Sequence, residues 1–134
     1  YKRKISGPLM DRIDMQINLS RVEFSELKTK EKGESSAAIR ERVVKARLLQ
    51  QERLEALGMH CNAQMGRSEV VKYCQLDAAA QNVMERYFNM LNLSARSHDR
   101  ILKVARTIAD LAGSESIEAV HLAEAIQLRT SARP

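Results

Sequence analysis

Tryptophan is absent from this 134-residue chain, and aromatic residues together make up only 4% of it. Glycine and proline are scarce as well, with five and two residues. A chain with few aromatics must build its core from aliphatic side chains, and one with few turn formers makes few tight hairpins. These shortages favour a bundle of packed helices over a β-rich fold.

Metal ligands and membrane segments are also missing. The two cysteines, Cys61 and Cys74, form no C-x-x-C pair, and the three histidines fall at no zinc-binding spacing. We therefore expect no metal site, and free thiols in a reducing, cytoplasmic setting. No apolar run approaches the roughly 20 residues that a membrane helix needs, so no membrane partner is expected.

Common catalytic motifs are missing as well. The sequence contains no G-x-S-x-G, no H-E-x-x-H and no Gly-Lys pair, so it has no P-loop. By itself this chain is expected neither to bind nor to hydrolyse ATP. The chain starts abruptly with Tyr1-Lys2-Arg3-Lys4, without an initiator methionine and without a visible signal peptide. This start predicts a piece of a longer protein.

The residues that are present suggest two unequal parts. Apolar residues alternate with polar ones from Ile13 to Leu19, which is the period of a half-buried strand. One strand cannot make a sheet, so its partners are expected in an upstream domain. We interpret residues 1–24 as the end of that domain and the polar stretch 25–34 as a linker.

Residues 35–130 have the pattern of a helical bundle of four or five helices. Ser35 or Ser36 can cap a long helix that ends near Gly58. An apolar stripe on this helix is formed by Ile39, Val43, Ala46 and Leu49. Further helices are predicted over 68–74, after Asp77, after Ser94 and over 118–128. The predicted fold class is mainly α, preceded by one strand.

Arg12 lies between a turn that opens at Pro8 and the predicted strand. A guanidinium is always charged and forks onto phosphate oxygens, so an arginine at such a junction can be aimed at a neighbouring subunit's phosphate. The plainer alternative is a local ion pair with Asp11 or Asp14. Position alone leaves both interpretations open.

Arg96 follows the Ser94 cap, where free backbone N–H groups attract anions. A cation there opposes the helix dipole unless an anion is near, which hints at a ligand; the alternative is an ion pair with Asp99. Arg100, Lys103 and Arg106 extend the basic stripe and are candidate contacts for DNA or another anion. The formal net charge of +5 fits such partners, and equally fits a solvated basic surface.

Three long blocks resemble the magnesium-chelatase-like AAA+ proteins of the ComM/YifB type, and the resemblance as a whole covers nearly the entire chain and is weakest over residues 59–90. The blocks are KISGPLMDRIDMQINLSRV (4–22), GESSAAIRERVVKARLLQQER (33–53) and LSARSHDRILKVARTIADLAGSESIEAVHLAEAIQLR (93–129). The resemblance implies that residues 1–24 end an α/β ATPase core and that residues 35–130 form its C-terminal helical lid.

The resemblance also implies roles for two residues. The segment G-P-L-M-D-R-I-D matches the family's finger motif, so Arg12 becomes an arginine finger acting in trans, and Arg96 becomes sensor 2, near the γ-phosphate. ATP and Mg²⁺ are the implied cofactors of the parent protein, a homo-hexameric ATP hydrolase. Family members of the ComM type are linked to competence and remodel DNA. Alternatives are an autonomous basic DNA-binding or adaptor domain, or a chelatase-type motor acting on a protein partner.

Overall fold

The computed structural model describes residues 6–28 and 32–130. Within these ranges the fold is mainly α, which confirms the predicted class, and the only β pairing is an isolated bridge between Leu76 and Ile117. Residues 29–31 of the expected linker lie outside the described residues, as do residues 1–5. The helices are α1 (Gly7–Met10), α2 (Ser36–Leu54), α3 (Arg67–Tyr73), α4 (Ala78–Met90), α5 (Ala95–Leu111) and α6 (Ala119–Thr130).

Local capping chemistry sets where these helices begin. The Ser94 hydroxyl accepts from the backbone N–H of Ser97 at 3.1 Å and starts α5. Asp77 caps α4 in the same way, and Ser35 caps α2. Gly58 follows a 3₁₀ turn after α2 with φ +70°, a left-handed conformation that suits glycine. The predicted starts of α2, α4 and α5 are therefore confirmed.

The core surrounds α5, which contacts α2, α3 and α6, while α4 packs on α6. Aliphatic and methionine side chains fill it, as the shortage of aromatics predicts. Its largest fully buried hydrophobic side chains are Leu54, Met65, Val70, Met84, Ile101, Ile117 and Leu122. Burying such a side chain stabilises the fold by about 1.5–3 kcal/mol each.

The apolar stripe that periodicity marks on α2 is mostly exposed. Ile39 and Val43 are 43% and 46% exposed, and only Ala46 of the predicted set is buried. The buried residues of α2 are Ala46, Gln50 and Leu54, all in its second half. This half of α2 packs on α5 through a face that includes the buried amide of Gln50. Because hydrophobic periodicity counts an amide as a surface residue, it indicated a different face of the helix.

Residues 13–19 form no strand in the part of the chain that the structure describes. Leu19 is 92% exposed, and Met15 and Ile17 are exposed as well. A strand requires a partner, and the expected partners belong to an upstream domain, so the strand stays a prediction. The backbone N–H of Gln16 instead donates to the carbonyl of Leu128 at 2.7 Å.

Both cysteines are free thiols, in different environments. Cys74 is buried in the core, and this burial raises the pKa of its thiol to about 11. A thiol with such a pKa is almost wholly protonated near neutral pH and therefore a poor nucleophile. Cys74 acts as a small apolar packing residue.

Candidate functional site

Arg96 is exposed in the first turn of α5, at the end where unpaired N–H groups collect. The alternative ion pair with Asp99 is not formed. Asp99 instead accepts from Arg67 and lies 3.1 Å from the ring Nδ1 of His98. Arg96 thus makes no salt bridge to any residue within 6–28 and 32–130, although an acidic residue lies one turn away. A cation in this position is suited to an external anion.

A cleft of about 750 Å³ runs beside Arg96 along α5. Arg100 and Lys103 line it from α5, and Asp14 and Met15 close one side. Arg100 donates to Asp14 at 2.5 Å, and the amine of Lys103 lies 3.4 Å from the carbonyl of Ala63. Arg100 and Lys103, two of the three residues of the predicted basic stripe, therefore reach the cleft. The charge of Arg100 is already balanced by the carboxylate of Asp14.

The third residue of that stripe, Arg106, is not on the exposed face. It is 3% exposed, and its guanidinium donates to Asp110 and to the carbonyls of Ser114 and Glu115. Burial lowers the pKa of Arg106, whereas the adjacent carboxylate of Asp110 opposes that shift. The expectation of a solvated basic stripe through Arg106 is corrected, because this side chain fastens the end of α5 to the next turn.

Asp110 is the centre of this buried polar cluster, which sequence reasoning missed. Its side chain has no exposed surface and accepts two bonds from Arg53, at 2.6 and 3.0 Å, besides that from Arg106. Asn62 also donates to Asp110 and to the hydroxyl of Thr107. The cluster ties α2, α5 and the turn at Asn62 together. The i, i+4 spacing of Arg106 and Asp110 was the signal in the sequence that could have indicated this ion pair.

Arg12 is exposed in the turn that follows α1. The alternative pairing with Asp11 or Asp14 is not formed. Asp14 pairs with Arg100, and the Asp11 carboxylate lies 3.8 Å from the guanidinium of Arg129. Throughout the described ranges no carboxylate forms an ion pair with Arg12. This turn thus presents a positive group to solvent while its acidic neighbours hold it against the bundle.

Arg129, which sequence reasoning also missed, holds the same turn. From the last turn of α6 its guanidinium donates to the carbonyls of Asp11 and Ile13, the residues on either side of Arg12. It donates as well to the hydroxyl of Ser97 on α5, at 3.1 Å. No pattern marks Arg129, since it lies just beyond the predicted helix over 118–128. Arg129 therefore links the turn that carries Arg12 to the first turn of α5, which carries Arg96.

Neither a membrane-spanning helix nor a cluster of metal ligands occurs in the part of the chain that the structure describes. No helix in those ranges combines the length and apolar character that crossing a membrane requires. No group of three or more histidine, cysteine, aspartate or glutamate residues within 6–28 and 32–130 is placed to hold a metal ion.

Residues 33–129 match the family model of the magnesium chelatase subunit ChlI C-terminal domain, and the chain belongs to that family. This confirms the resemblance to magnesium-chelatase-like proteins.

Individual relatives agree with the family. The chain is 40% identical over 134 residues to the competence protein ComM of Haemophilus influenzae, covering 99% of this chain. It is 38% identical over 130 residues, 96% of this chain, to the uncharacterized protein YifB of Escherichia coli. The uncharacterized protein Mb2921c of Mycobacterium bovis is 33% identical over 134 residues, again 99% of this chain. The chain spans about a quarter of the length of these relatives, at 26%, 25% and 26%.

Proposed function

We propose that this chain is the helical lid portion of an AAA+ ATPase of the magnesium-chelatase-like type. In this role Arg96 serves as sensor 2 for the ATP of its own subunit, and Arg12 serves as the arginine finger for the neighbour's ATP. One observation carries the proposal. Both arginines are exposed without an acidic partner in the described ranges, although each has acidic neighbours that are paired with other cations.

The geometry fits a phosphate at Arg96. The start of α5 offers unpaired backbone N–H groups, and the helix dipole adds partial positive charge there. ATP with Mg²⁺ would supply the transferable γ-phosphoryl group. The phosphate-binding loop and the groups that hold Mg²⁺ are expected in an upstream core. A lid arginine that contacts ATP but not ADP makes the position of the lid depend on hydrolysis, because a ligand shifts a conformation only through differential contacts.

Replacing Arg96 with alanine tests the sensor role in the intact protein, meaning this chain together with its expected ATPase core. We expect kcat for ATP hydrolysis to fall about 10²-fold, the effect of losing one preorganised donor to a developing charge. Steady-state phosphate release measures it. Arg40→Ala, at an exposed arginine of α2, is the matched control and should leave kcat unchanged. Unchanged turnover in Arg96→Ala would remove Arg96 from the ATP site.

We propose DNA as the substrate that the motor remodels, in a cytoplasmic homo-hexamer. The family resemblance and the net charge of +5 support this proposal. The structure does not favour an autonomous DNA-binding module, since Arg106 is buried and Arg100 is paired with Asp14. DNA binding is therefore expected to need the assembled protein rather than this basic stripe alone.

DNA should stimulate the intact protein's ATP hydrolysis. We expect branched DNA to raise the hydrolysis rate, and the stimulation to weaken steeply between 50 and 200 mM salt, roughly the range over which phosphate contacts lose most affinity. The measurement is phosphate release with and without DNA, and polyglutamate of equal charge is the control polyanion. Equal stimulation by DNA and polyglutamate would contradict DNA as the substrate.

A further inference from the structure

Arg129 occupies an unusual place in the bundle. It lies in the last turn of α6, its side chain is 7% exposed, and it reaches residues that are 32, 116 and 118 positions away in the sequence. A buried arginine needs several acceptors to replace its hydration. The carbonyls of Asp11 and Ile13 and the hydroxyl of Ser97 provide them, so this one side chain holds the backbone on both sides of Arg12.

The contact with Ser97 extends to the start of α5. Ser97 is buried, its N–H donates to the Ser94 hydroxyl, and the two hydroxyls lie 3.1 Å apart. Ser94 is the cap that begins α5, and Arg96 stands between the two serines. A single guanidinium thus bonds to both sides of Arg12 and to the residue next to Arg96.

Two further contacts support the same docking. Gln16 donates its backbone N–H to Leu128 at 2.7 Å, and Arg100 bonds to Asp14 at 2.5 Å. We refer to residues 11–16 as the finger segment. Most of its contacts use main-chain atoms, and they fasten it to α5 and α6 of the same chain rather than leaving it to swing freely.

We propose that Arg129 is a positioning residue that fixes the finger segment on the lid, so that Arg12 reaches the neighbouring subunit's ATP from a position set by the lid of its own subunit. The inference rests on the finger role proposed above for Arg12. Its consequence is directional communication around a ring: a lid that moves with its own nucleotide moves the finger that it offers to the next subunit.

The physical reason is the narrow tolerance of catalytic geometry. A misplacement of about 1 Å can cost about 10²-fold in rate. Lysine keeps the charge at position 129, but its donors sit on one nitrogen and lack the planar fork whose two terminal nitrogens reach Ile13 on one side and Asp11 on the other. In the intact protein, Arg129→Lys is therefore expected to lower kcat about 10- to 100-fold and to leave KM for ATP nearly unchanged, since no nucleotide contact is removed.

Mixed rings separate positioning of the finger from general damage to the lid. Rings of Arg129→Lys and Arg96→Ala subunits should recover hydrolysis beyond the sum of the two variants, because some interfaces combine an intact sensor with an intact finger. Rings of Arg129→Lys and Arg12→Ala subunits should not recover, because every finger is then defective. The opposite pattern, with recovery only in the second mixture, would show that Arg129 serves its own subunit's site and would overturn the proposal.

Arg106→Lys is the matched control, since Arg106 is also a buried arginine bonded to two backbone carbonyls and does not touch the finger segment. It should lower the unfolding temperature without lowering kcat in the folded protein. If Arg12→Ala abolishes hydrolysis while Arg129→Lys leaves kcat unchanged, the positioning role alone is wrong. If Arg12→Ala hydrolyses normally, the finger role itself is wrong.

Discussion

Replacing Arg12 with alanine in the intact protein should lower kcat for ATP hydrolysis by about 10³- to 10⁵-fold, the range found for arginine fingers. The guanidinium stabilises charge that redistributes over the γ-phosphoryl oxygens in the transition state, and nothing else in the finger segment carries unpaired positive charge in the described ranges. ATP binding should persist, because the finger acts mainly on the charge of the transition state and the expected upstream core holds the nucleotide. Phosphate release measures turnover, and a fluorescent ATP analogue measures binding.

Arg21→Ala is the matched control for this variant, since Arg21 is an exposed arginine in the same N-terminal part of the chain. It should keep normal turnover. Mixing Arg12→Ala with Arg96→Ala subunits should restore hydrolysis at the interfaces where an intact finger meets an intact sensor. Turnover by Arg12→Ala rings close to that of the unmodified protein would refute the finger assignment.

Replacing Asp110 with alanine should destabilise the 134-residue chain by about 3–5 kcal/mol. Two guanidinium groups, those of Arg53 and Arg106, converge on this carboxylate, whose side chain has no exposed surface. Removing it leaves the buried guanidinium of Arg106 and the partly buried guanidinium of Arg53 next to each other without this counter-ion. Because a domain of this size is stable by about 5–15 kcal/mol, this single change removes a large part of the total.

Urea unfolding followed by circular dichroism measures this loss. Glu41→Ala is the matched control, because Glu41 pairs with Lys45 at 3.0 Å on the exposed surface of α2. An exposed pair of this kind contributes about 0–1 kcal/mol, so its removal should hardly shift the midpoint. A loss below about 1 kcal/mol for Asp110→Ala would mean that water compensates both guanidinium groups, contrary to the burial of Arg106.

Helix starts could be predicted from sequence because capping is local. Ser94 and Asp77 bond to backbone N–H groups three residues ahead, a relation that is visible in a short window of sequence. The buried face of α2 could not be predicted in this way. Its contact with α5 includes Gln50, whose amide accepts from the backbone of Asn62, and a hydropathy pattern assigns such a polar residue to the surface.

The residues of the candidate site also differ in whether the sequence could indicate them. Position in the sequence marked Arg12 and Arg96 as candidates, the family resemblance implied their roles, and the structure adds that their acidic neighbours are engaged elsewhere. Arg129 and Asp110 were missed, because their importance lies in contacts between residues far apart in sequence. Arg106 was placed on the wrong face of α5, since an arginine in a basic stripe is usually solvated and this one is enclosed by acceptors.

The finger segment is fastened mainly through carbonyl and N–H groups, and every amino acid except proline supplies both. Over evolutionary divergence, side chains such as that of Ile13 can therefore change without undocking the segment. The selective constraint falls instead on Arg129, the single side chain that binds those carbonyls. Arg12 forms no ion pair within residues 6–28 and 32–130, so under the proposed finger role its chemistry can be selected for the neighbouring subunit alone.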